Sequence, residues 1–204
     1  VGDDEGRIDP VDLVDGLTRL VDRSLVIADR GATTRYRMLE TIRQYAREKL
    51  IESGEASDLA DRHLAACADL AGESQEPIRG PAMVDWLDRL DAEADNLGAA
   101  LEWGLEAAPW TAVRMCSALL GYWSVRVISE DNEARIVAAI GLARTRVHGS
   151  PDTDPAAQAL AARLMGEVAN IWGMSGRASE ALDWARDAVA LADLSGDAAA
   201  KRAA

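Results

Sequence analysis

The sequence predicts a mainly α-helical chain with one β-hairpin near its start, continuing as antiparallel helical hairpins. Three observations carry this. Apolar residues recur every three or four positions through most of the 204 residues, with clusters of Gly, Pro and Ser between the periodic stretches. One short block, Ser24 to Leu39, departs from that period with β-branched, extended character on either side of turn residues. The last segment sets small residues at fixed distances around a glycine.

Taken in order, Pro10 to Asp22 reads as a helix with Leu13, Leu17, Leu20 and Val21 on one face. Ser24 to Ala28 supplies a strand, Asp29-Arg30-Gly31 a turn, and Thr34 to Leu39 a second extended run. From Glu40 the period becomes helical through Ile42, Tyr45, Ala46 and Leu50, and Ser53-Gly54 ends that helix with glycine in the usual terminal position. Helix, hairpin, helix is the order of the back half of a winged helix. A further helix is expected from about Glu55 to Ala71, with Leu59, His63, Leu64, Cys67 and Leu70 along one side, then a loop over residues 72–81, GESQEPIRGP.

From Met83 the set Trp86, Leu87, Leu90, Ala94, Leu97, Leu101 and Leu105 keeps helical steps. A break is expected near Asp95-Asn96, which can serve as an N-cap. Pro109 opens the next helix, through Trp123, and Ser129-Glu130-Asp131 begins another that ends near His148-Gly149. Residues 150–155, SPDTDP, read as a surface connection. In the 34-residue tetratricopeptide frame, Ala169, Trp172, Gly176, Ala181 and Ala188 occupy the small, aromatic, turn-forming, small and small positions. Small residues let two helices approach closely, glycine relieves the turn, and Trp172, like Trp123, fills space toward a neighbour. Gly121, Ala134 and Gly141 form a more degenerate match that requires one extra turn residue, and DAAAKRAA after Gly196 resembles the opening of another unit. One such unit cannot bury its own apolar face, so stacking is expected.

Composition narrows the function classes. With 49% apolar residues the chain can bury a core of one or two domains. It begins VGDDEGRIDP without an initiator methionine and reads as a piece of a longer protein. No apolar run approaches the roughly 20 residues that span a membrane, and no secretory signal is present, so a cytoplasmic protein without membrane partners is expected. Cys67 and Cys116 lie in apolar helical stretches without metal-type spacing and read as buried, reduced thiols; with only His63 and His148 as histidines, no metal site is expected. Residues 1–50 carry 9 basic against 10 acidic side chains, and the remaining 154 residues carry 13 against 25. The acidity belongs to the helical part, which would repel phosphate and make a poor non-specific nucleic-acid binder. Arginine outnumbers lysine 20 to 2, and with frequent alanine this suggests a high-GC bacterial genome.

The motifs of catalysis are missing. There is no GxxxxGK[ST] phosphate loop, no Gly-x-Ser-x-Gly, no HExxH and no calcium-loop spacing, so this chain is expected to be non-catalytic. Asp91, Glu93 and Asp95 invite a paired-carboxylate reading, yet alternate positions on a helix face different ways and favour a solvated face. Trp86, Trp103, Trp123, Trp172 and Trp184 fall at core-like helical spacings rather than as a ligand cage, whereas Trp110, at a helix start, is the one expected to be exposed.

LTRLVDRSLV, RYRMLETIRQYAREKLIESGE, DRHLAACADLA, WLDRLDAEADNLGAALEWGLE and SALLGYW together resemble the winged helix, helical linker and degenerate repeat array that follow the nucleotide-binding domain of STAND-class ATPases, especially bacterial LuxR-type transcriptional regulators. The resemblance spans roughly residues 10–195, and RMLETIRQYA followed by WLxxLxxExDNLxxALxW is its specific pair. It implies a partial winged-helix module over 1–53, a helical linker over 54–108 and truncated tetratricopeptide-like repeats over 109–204. It also implies ATP or ADP in an upstream domain of the parent, no cofactor in this chain, a protein or small-molecule effector on the repeats, and DNA contact through a separate downstream domain.

In the resembled class a Met-His-Asp element contacts nucleotide; here those positions read Met38-Leu39-Glu40, and Leu39 cannot make that polar contact. Arg35, Arg37, Met38, Leu39, Glu40 and Arg43 are therefore the candidate interface with the upstream nucleotide domain, in preference to a DNA-binding patch of Arg35, Arg37, Arg43 and Arg47 or to solvated arginines. Gly98 stands where the resembled families usually carry arginine in DNLRAAL. The reading is a relay and sensor segment that couples effector binding to the upstream domain. The alternatives are a stand-alone repeat scaffold that binds protein segments, or the regulatory module of a nucleotide cyclase.

Overall fold

The computed structural model describes residues 10–30, 34–126, 128–148 and 154–203. It is mainly α-helical with one two-stranded antiparallel hairpin, and it divides into two compact units, Val1–Ser57 and Asp58–Ala204.

The first unit holds α1 (Pro10–Asp22), β1 (Ile27–Arg30), β2 (Thr34–Arg37) and α2 (Glu40–Ser53). The first strand starts later than its apolar run suggests. Ser24 takes a left-handed φ of 58°. The N–H groups of Ser24, Leu25 and Val26 then donate back to the carbonyls of Val21 and Leu20, at 2.9, 2.9 and 3.3 Å. Those bonds satisfy carbonyls orphaned at the end of α1, so the Leu25-Val26 run closes the helix before the ladder begins. Asp29 and Arg30, expected in the turn, pair with Arg35 and Thr34 in the ladder. Gly31 of that expected turn lies outside the described residues. The second strand stops at Arg37 because Leu39 is already the N-cap of α2, its carbonyl accepting the Arg43 N–H at 2.9 Å.

Helix α2 ends at Gly54, whose φ of +80° is the left-handed conformation that the predicted stop requires. None of its residues is fully buried: Ile42, Ala46 and Leu50 are half-buried, whereas Tyr45 and Ile51 are 60% and 59% exposed. Val26 is the buried apolar residue of this unit's described part.

The second unit begins within α3 (Ala56–Ser74) and continues through a 3-10 turn (Pro77–Arg79), α4 (Met83–Ala92), α5 (Ala94–Ala107), α6 (Pro109–Arg126), α7 (Glu130–His148), α8 (Pro155–Met174), α9 (Ala178–Ser195) and α10 (Ala198–Ala203). Much of the expected 72–81 loop is helical. Ser74 ends α3 inside the core, its hydroxyl donating to the Ala71 carbonyl at 2.7 Å, and buried Ile78 pins the 3-10 turn. The predicted long helix breaks at Glu93, earlier than Asp95-Asn96, and Asn96 lies in the first turn of α5 with its amide donating to the Glu93 carboxylate at 2.5 Å. Ser129 accepts the Asn132 N–H at 3.3 Å ahead of α7, and Asp154 accepts the Ala156 N–H at 3.0 Å ahead of α8, with Pro155 at its first position. Positions 150–153 of the expected SPDTDP connection lie outside the described residues.

A single apolar cluster runs from Leu64 on α3 to Ala200 on α10, so the helices before and after residue 108 share one core. Helix α6 is its centre, burying Ala112, Val113, Met115, Cys116, Leu119, Leu120 and Trp123 among others. Helix α7 turns Ile136, Ala139, Ile140, Ala143 and Val147 inward. Ala134 and Gly141 are exposed, so the small residues of the degenerate frame do not mark a close helix approach there; the buried face of α7 mixes Ala139 and Ala143 with Ile136, Ile140 and Val147.

Candidate functional site

Of the residues expected on the nucleotide-domain side, Arg35 and Arg37 lie on the exposed second strand. Arg37 Nε donates to the Asp29 carboxylate at 2.8 Å, a diagonal pair across the hairpin, and Arg43 pairs with Glu40 at 2.5 Å within the first turn of α2. Both pairs are solvent-exposed and contribute little to stability. Beside them Tyr36, Met38 and Leu39 are 49%, 42% and 51% exposed. Leu13, Val14, Leu20, Tyr45 and Ile51 are exposed apolar residues of the same unit.

The predicted repeat-packing residues gather on the α8–α9 hairpin. Gly176 takes φ +83° in the connection, and Ala169, Ala181 and Ala188 are buried. Trp172 is 3% exposed, its ring centroid 3.7 Å from that of Trp184 on α9. Arg177 caps this pair: its guanidinium lies 3.9 Å over the Trp172 ring and donates to Glu180 at 2.7 Å and to Glu133 of α7 at 2.6 Å. Those carboxylates, Glu180 first, hold the Arg177 guanidinium above its ordinary value. Nothing in the sequence spacing points to the Arg177–Glu133 link. Trp123, the other expected packing residue, is buried on α6. Trp110 is half-buried against the core instead of exposed.

A guanidinium does stand beside Gly98, supplied from another helix. Arg135 of α7 reaches over it, bonded to Glu102 at 2.6 Å and to Asn132 at 3.0 Å. A Cβ at Gly98 would lie 3.2 Å from its Nη2. Two of the three carboxylates of the paired-carboxylate reading are otherwise engaged: Asp91 accepts the Tyr122 hydroxyl at 2.7 Å and lies 2.7 Å from Arg126, while Glu93 receives Asn96. Burial pushes the Tyr122 hydroxyl up to about 12, reinforced by its bond to Asp91. Cys67 and Cys116 are buried free thiols.

A cleft of about 330 Å³ opens between the 3-10 turn, α6 and α8. Ile78, Leu120 and Ile171 form apolar walls, with Arg79, Ser117 and Glu167 among its polar groups and Gly121 in its lining. Burial pushes the Glu167 carboxyl up, against the opposing pull of Arg79, Ser117 and Arg163. The cleft escaped sequence reasoning because its residues come from three separated stretches with no common motif.

The chain is 42% identical over 118 residues to a protein of Mycobacterium bovis and to proteins of two strains of Mycobacterium tuberculosis, all named as HTH-type transcriptional regulators. The matched stretch is 57% of this chain and 13% of each relative, so the chain spans a small part of the curated relatives' length. No family model matches the chain, and no solved structure matches it. Among the described residues, no helix is long and apolar enough to cross a membrane.

Proposed function

We propose that this chain is a non-catalytic relay and sensor segment of an ATP-dependent, LuxR-like transcriptional regulator of the STAND class. The observation that carries this reading is the 42% identity to proteins named as HTH-type transcriptional regulators, of which the matched stretch makes up only 13%. Such a regulator keeps its DNA-reading and nucleotide-binding parts elsewhere in the chain. Within this reading residues 1–53 belong to a partial winged-helix module, the α8–α9 hairpin is a tetratricopeptide-like unit, and the whole works in the cytoplasm with no cofactor of its own.

The uncovered apolar residues of the first unit support a packing role. Met38 and Leu39 are exposed at the start of α2, and the Leu39 side chain offers no polar atom to a phosphate. Arg37 and Arg43 are already partnered by Asp29 and Glu40, which suits a protein interface better than a phosphate-binding patch. Occupancy of the helical unit by an effector would then reach the nucleotide domain as a change in packing.

The test is made on the parent protein. Leu39→Asp should change its ATP turnover severalfold while leaving the denaturation of residues 58–204 unchanged. An unchanged turnover, ATP hydrolysis by this chain alone, or a reading frame without a nucleotide-binding domain ahead of Val1 would overturn the proposal.

A further inference from the structure

The cleft between the 3-10 turn, α6 and α8 combines features that structural packing does not require. Glu167 is a half-buried carboxylate whose hydrogen bond among the described residues is a long one, 3.5 Å from the Ser117 hydroxyl. A carboxylate can accept several hydrogen bonds, and one with a single long bond to the protein keeps acceptor positions open toward the cleft. Arg79 lines the same cleft and acts on Glu167 through space without bonding to it. Two opposite charges thus face one volume without closing on each other.

The rest of the lining defines what fits between them. Its large apolar residues, Ile78, Leu120, Val125 and Ile171, are all aliphatic. The volume, about 330 Å³, lies at the lower end of the roughly 300–1,000 Å³ of ligand pockets and suits a small molecule. Gly121 keeps the space open: a Cβ there would come 3.8 Å from Ile78 Cγ2, so a longer side chain would enter the cleft.

We infer that this cleft binds a small zwitterion, an aliphatic α-amino acid, whose ammonium is received by Glu167, whose carboxylate is received by Arg79, and whose side chain lies on the aliphatic wall. The inference rests on the reading of the helical unit as the effector-bearing part and names the chemistry of the effector. An ammonium would complete the hydrogen bonding of Glu167, and Arg79, exposed at the rim, can pair with a carboxylate while remaining hydrated. The pull of burial on Glu167 would be offset by the incoming positive charge.

Calorimetric titration of the 204-residue chain with L-leucine, L-isoleucine and L-valine tests this. At least one should bind, and the corresponding analogues lacking one charge, isoamylamine and 4-methylpentanoate in the case of leucine, should bind at least ten-fold more weakly. Glu167→Gln should weaken the amino acid at least ten-fold; it removes a charge that the site disfavours, so the fold should hold, and tryptophan fluorescence melting checks that it does. Gly121→Leu should abolish binding by filling the cleft. Binding by none of the three amino acids overturns the inference, as does equal binding by the amine alone or by the Glu167→Gln variant. The relay fails separately: an amino acid bound to the chain that leaves ATP turnover of the parent unchanged refutes the coupling and leaves the site standing.

Discussion

Replacing glycine by alanine at Gly141, Gly98 and Gly104 should shift stability in different directions, although all three lie within helices. Alanine in a helix interior is favoured over glycine by about 1 kcal/mol through backbone entropy. At Gly141 a Cβ meets nothing within 4 Å, so most of that gain should appear, about 0.5–1 kcal/mol. At Gly98 the Cβ would lie 3.2 Å from Arg135 Nη2 and 3.4 Å from its Cζ, the far end of a flexible side chain. Shifting that guanidinium weakens its pair with Glu102, which is 67% exposed and worth about 0.5 kcal/mol, so about half of the helix gain should remain.

At Gly104 the Cβ would come 3.1 Å from Leu64 Cδ1 and 3.2 Å from Ala112 Cβ, atoms of the core. Ala112 is held by the backbone of α6, so α5 and α6 would have to separate. Overpacking of this kind costs about 1–3 kcal/mol, leaving a net loss near 1 kcal/mol after the helix gain. Urea denaturation followed by tryptophan fluorescence reads the second unit alone, because all six tryptophans follow residue 58. With a slope of about 2 kcal/mol per molar, 1 kcal/mol moves the midpoint by about 0.5 M. A Gly104→Ala midpoint at or above wild type, or a Gly141→Ala midpoint below it, would refute the reasoning.

Trp172→Ala, which empties the space between α8 and α9, should cost about 3–5 kcal/mol; a loss under about 2 kcal/mol in thermal or urea unfolding would mean that Trp184 collapses into the gap. Arg177→Met keeps the stem over Trp172 but removes the cation, and should cost about 1 kcal/mol, a gap that narrows in 1 M salt; no change would show the Glu133 and Trp172 contacts to be energetically idle. Burial raises the Cys116 thiol from 9.0 to about 12, with Arg135 opposing. The unfolded thiol therefore ionises first, and its contribution to stability is complete below about pH 9 and lost as pH rises toward 12, by up to about 1.4 kcal/mol per pH unit. Between pH 9 and 10, before tyrosine at its ordinary value of 10.0 adds to the slope, Cys116→Ala should flatten the decline, and an unchanged slope would exclude the thiol as its cause.

What was legible in the sequence was local. The bounds of α1, the stop of α2 at Gly54 and the turn at Gly176 follow from periodicity and from glycine at left-handed positions, information carried within a few residues. Where the structure departs from expectation, a distant or competing partner decided. Leu25 and Val26 have the side chains of a strand, but their N–H groups go to the orphaned carbonyl of Leu20. Residues 72–79 have loop composition, yet Ser74 and Ile78 are drawn into the core and impose helical structure. Ala134 and Gly141 fit the spacing of a repeat, but the face of α7 turned inward is another one, made of Ile136, Ala139, Ile140, Ala143 and Val147. Trp110 looked like a surface residue because it opens a helix, and the core covers half of it.

By itself the sequence determined that the chain is mainly helical with one hairpin, that its acidity lies in the helical part, and that no phosphate loop or nucleophile motif is present, since these depend on period, count and spacing along the chain. Only the tertiary structure decided that Arg135 stands over Gly98, that Arg177 joins the α8–α9 turn to α7, and that Glu167 and Arg79 face one cleft. Those pairings join residues 37, 44 and 88 positions apart in the sequence, and side chains that far apart meet only where helix packing places their backbones within reach.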